Sequence, residues 1–305
     1  MTPPTGTIQP TASAPARAHG EPRTAAALLC GLGLMAAAAA PAVAVFLLLR
    51  ALGLCSAGAL GSLFDVAWFP GEGRLGLLPL VLGSVAAALV SLFIAVPLGL
   101  GTAIWLRFFA RRRATGLCEA VLGILAGTPS VVFGLFGTYW VLPLLGSLVG
   151  GGSTGSLLAA GIVLAMMIVP SFAVFALAAL RQVPDGLLRD GAALGLSRAA
   201  VIRGLALRAA RPGLIAAATL ALARALGEAL AVEMVAGNVP NLPYSLLQPV
   251  RTLTATLVQE FEYARGVHAD ALHLVALTVV ALAALLTSIA CRLGRGPAVA
   301  AAEAG

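Results

Sequence analysis

Two charged residues stand out in the apolar stretch ALARALGEALAVEMVAGN, residues 221–238. Arg224 and Glu228 are four residues apart, a spacing that places two side chains on one face of a helix. An ionised side chain at the centre of a bilayer costs about 2.5–3.5 kcal/mol on insertion scales. The sequence therefore predicts that the two residues pair and offset part of this cost. The pair would be structural, or Arg224 would attract an oxyanion with its planar fork of N–H groups, with Glu228 limiting how tightly the anion binds.

A second polar region, residues 182–212, reads QVPDGLLRDGAALGLSRAAVIRGLALRAARPG. Pro184 and Asp185 are typical of a helix start, and Gly195 is placed where a turn would separate two short helices. The pattern fits an arginine-rich loop at lipid headgroups and a short helix docked on a cytoplasmic partner equally well. In the second case the partner would meet an apolar strip formed by Leu187, Leu188, Ala192, Leu194 and Leu196.

The composition indicates the elements that must position these residues. Of 305 residues, 60% are hydrophobic and only 10% are charged, and the mean hydropathy is +1.01. Soluble domains carry roughly 25% charged residues. The chain is therefore expected to be all-α and polytopic, because lipid can solvate such a surface and helices satisfy their own backbone in it.

Six apolar runs are long enough to span a bilayer. The composition predicts a disordered cytoplasmic tail at residues 1–23 and a second cytoplasmic tail at 297–305, which leaves a transmembrane domain at 24–296. The first run, 24–49, exceeds the apolar core of a signal peptide, which favours an uncleaved helix. The 116–146 run contains Pro129 and is either one kinked helix or two pieces. The remaining runs are 79–106, 156–181, 213–237 and 270–291.

The arginines predict the orientation. With both termini in the cytoplasm, 14 of the 19 arginines fall inside and four outside, while Arg224 lies within a span. Cytoplasmic loops collect positive charge. The loop 182–212 would then be cytoplasmic and the loop 238–269 extracytoplasmic. The same bias explains the net charge of +7 without any nucleic-acid partner.

Several classes of function are disfavoured by what the sequence lacks. All 19 basic residues are arginine. A P-loop ATPase needs a lysine in its phosphate-binding motif, so any ATP hydrolysis would belong to a partner. The cysteines and histidines have no metal-ligand spacing, and no set of residues resembles a catalytic constellation. We therefore expect neither an enzyme nor a bound cofactor.

Three segments resemble the permeases of binding-protein-dependent ABC importers, in particular the PstC-type phosphate permeases. The run RALGEALAV, Arg224 to Val232, is similar to R-A-L-G-E-T-M-A-V, and GTPSVVFGLFG, Gly127 to Gly137, resembles the P-S-V-V-x-G segment of phosphate permeases. The loop around Gly195 aligns with the cytoplasmic E-A-A-x-x-x-G signature of the family, which implies that the residues that contact the ATPase are Arg189, Asp190, Gly191, Ala192 and Gly195. The resemblance extends from about residue 79 to about residue 291.

The resemblance implies a MetI-like fold in a bacterial inner membrane and one half of a phosphate pathway. It also implies three kinds of partner: a PstA-like second permease, PstB-like ATPases that bind the cytoplasmic loop, and a PstS-like binding protein that delivers phosphate. Arg189 replaces the signature Glu of the loop, which indicates an ATPase of complementary charge. Ala229 and Glu233 replace two threonines of the family pattern.

Two other functions remain open at this stage. One is a permease for another oxyanion, molybdate or sulfate, because their permeases carry similar R-A-L-G-E runs. The other is a membrane scaffold or sensor that transports nothing.

Overall fold

The computed structural model of the chain describes residues 23–53, 61, 65–150 and 155–294. The predicted tails lie outside these residues, apart from Arg23, which begins helix α1, Arg23–Ala51. By their contacts, Met1–Val45 and Phe46–Gly305 form two units. The described part of the first unit is the helical stretch 23–45.

The second unit is a helical bundle with one small β-hairpin. The hairpin pairs β1, Trp68–Phe69, with β2, Arg74–Leu75, in antiparallel register. The long helices are α2, Leu78–Phe108; α3, Arg112–Gly127; α4, Ser130–Val149; α5, Leu157–Arg181; α7, Arg198–Gly227; and α10, Val267–Gly294. The short helices are α6, Asp185–Ala193; α8, Leu230–Glu233; and α9, Leu253–Glu260.

The described residues include six helices that are long and apolar enough to cross a membrane. The predicted all-α class and number of spans are thus confirmed. Of the two alternatives for the 116–146 run, the structure shows two pieces, α3 and α4. The predicted start of the fifth run at 213 is wrong, because α7 already begins at Arg198, where the Ser197 hydroxyl caps the Ala200 N–H at 3.3 Å.

The core lies between α2 and α5, whose facing residues are mostly small. Ala88 and Ala95 of α2 and Ala160 of α5 are each at most 1% exposed. At Gly161, an added Cβ would lie only 2.3 Å from Cγ1 of Val90. Small residues let helix backbones approach closely, which is the main source of van der Waals packing between helices in lipid.

A polar cluster holds the hairpin against one end of this bundle. The Glu260 carboxylate accepts hydrogen bonds from Trp68 Nε1 at 2.9 Å and from Arg251 Nη1 at 2.6 Å, and His268 Nε2 lies 2.9 Å away. The Arg251 and Glu260 side chains are each 18% exposed. Helix α9 lies in the predicted outer loop 238–269, and its first turn, Leu253–Thr256, is buried.

Candidate anion pathway and partner-docking surface

The first feature of the site is a break between α3 and α4. Helix α3 ends at Gly127, and Thr128 and Pro129 have extended backbone, with ψ of 135° and 138°. Proline disfavours helical geometry in the residue before it, so this sequence ends one helix and starts another. The carbonyl groups of the last turn of α3 are therefore left without partners inside their own helix.

A second break lies between α7 and α8. Helix α7 ends at Gly227, and Glu228 is extended, with φ −76° and ψ 128°. Helix α8 packs tightly on α4, because an added Cβ at Gly134 would lie 3.1 Å from Cα of Ala231 and 2.6 Å from Sδ of Met234. The two interrupted helix pairs thus lie side by side.

Arg224 lies where these breaks meet. Its Nη2 is 3.5 Å from the Ala126 carbonyl oxygen in the last turn of α3, and its side chain is exposed. Arg224 is itself in the last turn of α7. Because the carbonyl end of a helix carries partial negative charge, two helix ends favour the guanidinium here. Most of its five N–H donors remain available to another acceptor.

Glu228 has other hydrogen-bond partners than the predicted one. Its Oε1 accepts a hydrogen bond from the Ala231 N–H at 3.3 Å, and its carbonyl accepts one from Thr254 Oγ1 at 2.7 Å. The carboxylate therefore satisfies a free N–H of the first turn of α8, the helix end that favours negative charge.

The predicted ion pair between Arg224 and Glu228 is wrong. Among the described residues, no salt bridge joins the two side chains. The four-residue spacing would place them on one face only if the helix continued, and α7 ends between them at Gly227. Each charge instead lies at a helix end of opposite polarity.

The depth of the site follows from its neighbours. A narrow crevice beside Glu228 is lined by Ser84 of α2, Leu164 of α5 and Thr252, among others. At 1.5 Å per helical residue, Ser84 and Leu164 lie about 10 Å from the first residues of their helices. The crevice beside Glu228 is therefore inside the apolar part of the bundle. The hydrocarbon core of a bilayer is about 30 Å thick.

The second predicted region is also organised. Helix α6 ends in a left-handed turn at Gly195, whose φ is 78°. The Leu196 N–H donates to the Gly191 carbonyl at 3.2 Å, and the Gly195 N–H donates to the Ala192 carbonyl at 3.0 Å. These are the two hydrogen bonds of a Schellman motif, which fixes the direction of the chain after the helix.

The predicted docking residues lie on or near this helix end. Arg189, Asp190, Ala192 and Gly195 are exposed, whereas Gly191 is buried. At Gly191 an added Cβ would lie 2.4 Å from Cδ1 of Leu205, so this residue packs α6 against α7 rather than facing outward. Leu194, a member of the predicted apolar strip, is 82% exposed at the tip of the turn.

Ionic contacts anchor this region to the bundle. Arg107 at the end of α2 pairs with Asp185 at 2.6 Å, and Arg181 pairs with Glu119 of α3. Arg198 donates to the Phe108 carbonyl, and its guanidinium lies over the Phe109 ring at 4.3 Å from the centroid. A movement of α6 would therefore be transmitted to both α2 and α7.

Sequence reasoning missed two partners of the pathway site, Ala126 and Thr254. Pro129 signals the break that frees the Ala126 carbonyl, but no local pattern identifies Arg224 as its neighbour. Thr254 lies 26 residues after Glu228, and nothing in the sequence marks their contact. Glu233, a departure from the family pattern, accepts from Gln259 Nε2 at 3.4 Å.

Comparison with known proteins defines the class of this bundle. Residues 95–294 match the family described as "Binding-protein-dependent transport system inner membrane component". The chain belongs to this family, and it is a multi-pass membrane protein. The matched region contains both helix breaks and the α6 turn.

Several relatives have similar sequences. The chain is 32% identical over 228 residues to the "Phosphate transport system permease protein PstC" of Xylella fastidiosa (strain Temecula1 / ATCC 700964), covering 68% of this chain and 70% of that protein. It is 37% identical over 197 residues to the "Probable ABC transporter permease protein YqgH" of Bacillus subtilis (strain 168), covering 64% of each. The predicted resemblance to PstC-type permeases is confirmed.

Solved structures show the same fold. A chain of the inward-facing MetNI methionine ABC transporter, in its native crystal form, superposes with a TM-score of 0.57 and 24% identity, covering 72% of this chain and 94% of that one. The selenomethionine crystal form gives 0.56. The predicted MetI-like fold is confirmed.

Proposed function

We propose that this chain is a permease subunit of an ATP-driven inorganic phosphate importer and forms half of the translocation pathway. The relatives named as phosphate permeases support the substrate, and the two helix breaks around Arg224 support the pathway. Interrupted helices in transporters place backbone groups and helix ends at substrate sites within the membrane. Residues 182–212 would be the cytoplasmic coupling region of the 24–296 domain, and 238–269 its extracytoplasmic loop.

The single observation that carries this proposal is Arg224, exposed inside the apolar bundle without a carboxylate partner among the described residues. A structural arginine would be expected to have its donors satisfied by the protein. This one keeps most of its donors free, and a guanidinium binds a phosphate through two parallel N–H bonds. Arg224 would therefore hold the anion during its passage.

The same exposure supports a second permease subunit. A guanidinium that faces hydrocarbon costs several kcal/mol, so the surface around Arg224 must face protein or water. A PstA-like subunit on this surface would enclose the pathway. It would also cover exposed apolar side chains near the break, such as Ile124, which is 72% exposed, and Leu220, which is 51% exposed.

The exposed end of α6 supports a cytoplasmic ATPase. Leu194 projects from the Schellman turn and would enter an apolar pocket, while Arg189 would face an acidic side chain of the ATPase. Since α6 is tied to α2 and α7, movement of the ATPases would reach the helix that carries Arg224. With both termini cytoplasmic, the opposite end would receive phosphate from a PstS-like binding protein.

Uptake of labelled phosphate tests this function. Cells that lack the chain would be complemented with the wild type, and sulfate and molybdate would be added in excess as competitors. We expect the wild type to restore uptake that neither competitor reduces. If sulfate or molybdate blocks the restored uptake, the substrate is another oxyanion. If uptake never depends on the chain, the transport proposal fails.

Two arginine variants test the role of Arg224. Loss of a charge-assisted hydrogen bond costs about 1.5–3 kcal/mol, so Arg224→Gln is expected to reduce uptake by roughly 10- to 100-fold. Arg292→Gln is the matched control, because Arg292 is also an exposed arginine but lies near the end of α10, outside the proposed coupling region. Its uptake should stay close to the wild type, with equal amounts of each variant in the membrane.

A further inference from the structure

We propose that a groove beside Arg50 and Arg265 holds one phospholipid of net charge −1. The groove lies between the last turns of α1 and the segment formed by α9 and the start of α10, and all of its lining residues belong to the second unit. It is separate from the Arg224 site and independent of the transported anion.

The groove has an apolar floor of suitable size. Its volume is about 690 Å³, and the floor includes Phe46, Leu47, Leu257, Leu272 and Ala276. The His273 Nδ1 donates to the Ala269 carbonyl at 2.6 Å, and its ring meets the edge of Phe46 with centroids 5.9 Å apart. The most polar part of the floor is thus turned toward protein, which leaves an apolar channel for an acyl chain.

Charged side chains lie at the mouth of the groove. Arg50, Glu262 and Arg265 line it and are all exposed. Arg265 Nη1 donates to the carbonyls of Glu262 and Ala264 at 3.1 and 2.8 Å, which fixes its guanidinium at the rim. Among the described carboxylates, none forms a salt bridge with Arg50.

The charged and apolar residues of the groove lie at different depths in the membrane. Arg50 is next to the end of the first span, Cys30–Ala51, and Arg265 comes just before α10 begins at Val267. Ala276 is nine residues into α10, about 13 Å deeper at 1.5 Å per residue. The groove therefore runs from the level of the headgroups into the hydrocarbon, with its charges at the outer end and its apolar floor inside.

The charges select the headgroup. Two arginines and one glutamate leave one net positive charge at the rim. A phospholipid with a single uncompensated phosphate, such as phosphatidylglycerol, would neutralise it, whereas the zwitterionic phosphatidylethanolamine would not. A guanidinium also suits a phosphate oxygen pair better than a point charge does.

Native mass spectrometry of the full transporter tests this site. The complex would be released from nanodiscs containing equal amounts of phosphatidylglycerol and phosphatidylethanolamine. We expect one retained phosphatidylglycerol per copy of this chain. The double variant Arg50→Gln/Arg265→Gln should reduce its retention at least 10-fold, whereas Arg203→Gln/Arg208→Gln, a matched pair of exposed arginines on α7, should leave it unchanged.

A second variant separates lipid from free anion. Ala276→Phe would fill the floor of the groove while keeping both arginines, so it should also abolish retention of the lipid. Equal retention of both lipids, retention in the double arginine variant, or an adduct with the mass of inorganic phosphate alone would each overturn the proposal. So would the absence of any adduct from the wild-type complex.

Discussion

Gly195 forms the left-handed turn that ends α6. An L-residue in the left-handed region costs about 1–2 kcal/mol, and the φ of Gly195 is 78°. Because an added Cβ would meet nothing within 4 Å, Gly195→Ala would impose this backbone cost alone. The Schellman turn should therefore open more often, by a factor of about 5–30.

Amide hydrogen exchange measures that opening directly. The N–H groups of Gly195 and Leu196 donate the two hydrogen bonds of the turn, so their exchange should be faster by this factor in Gly195→Ala. Gly195→Asn should lie between alanine and wild type, because asparagine tolerates this conformation better.

Gly186→Ala is the matched control for this experiment. Gly186 lies in the same helix, has ordinary φ, and has space for a Cβ. Alanine stabilises a helix interior by about 0.5–1 kcal/mol over glycine. Gly186 is in the first turn of α6, so the gain is at most this large and exchange should become slightly slower instead. If Gly195→Ala leaves exchange unchanged, or slows it as Gly186→Ala does, the turn does not depend on glycine and this reasoning is refuted.

Three further perturbations test other parts of the structure. Gly134→Ala would overpack α4 against α8 and cost about 1–3 kcal/mol, whereas Gly127→Ala, with open space around its Cβ, should cost far less; thermal inactivation of uptake would show the difference. Glu260→Ala would leave a mostly buried arginine unpaired, at a cost on the order of 3 kcal/mol in denaturant unfolding followed by tryptophan emission, and Glu260→Gln should cost less. The Arg74 guanidinium, which hydrogen-bonds Asp65, lowers the pKa of that carboxyl below its ordinary value. Because the folded pKa is depressed, the stabilisation of the hairpin is present above pH about 4 and is lost as pH falls further; an NMR titration should show the Asp65 midpoint rising in Arg74→Gln.

The parts of the fold that depend on nearby residues alone could be predicted from the sequence. Apolar length identified all six spans, and Pro129 marked the division of the 116–146 run. Gly195 was correctly placed at a turn, because a glycine after a short amphipathic helix is a common helix end.

The start of α7 was predicted wrongly because residues 198–212 have the composition of a loop but form a helix. Arginines and Pro212 lower the hydropathy of residues 198–212, which made them look like a loop. The structure keeps them helical, with Pro212 inside α7, and the arginines at 203, 208 and 211 are exposed. The Ser197 cap was the local signal that could have revealed this helix.

The Arg224–Glu228 pair was predicted wrongly for a different reason. The spacing rule assumes a continuous helix, and the break after Gly227 is held by a distant residue, Thr254, which donates to the Glu228 carbonyl. There is no proline near Glu228 in the sequence that would indicate the break. Tertiary contacts therefore decide which partner each charge finds.

The role of Arg224 in anion passage is tested most directly by the concentration dependence of phosphate uptake in Arg224→Gln, Arg224→Lys and Arg292→Gln cells. If Arg224 binds the anion in the pathway, glutamine should lower the maximal rate by roughly 10- to 100-fold. Lysine should retain part of the rate, because it keeps the charge but not the planar fork. Arg292→Gln should match the wild type. If Arg224→Gln transports phosphate at the wild-type rate, the exposed guanidinium is not part of the pathway and the account is contradicted.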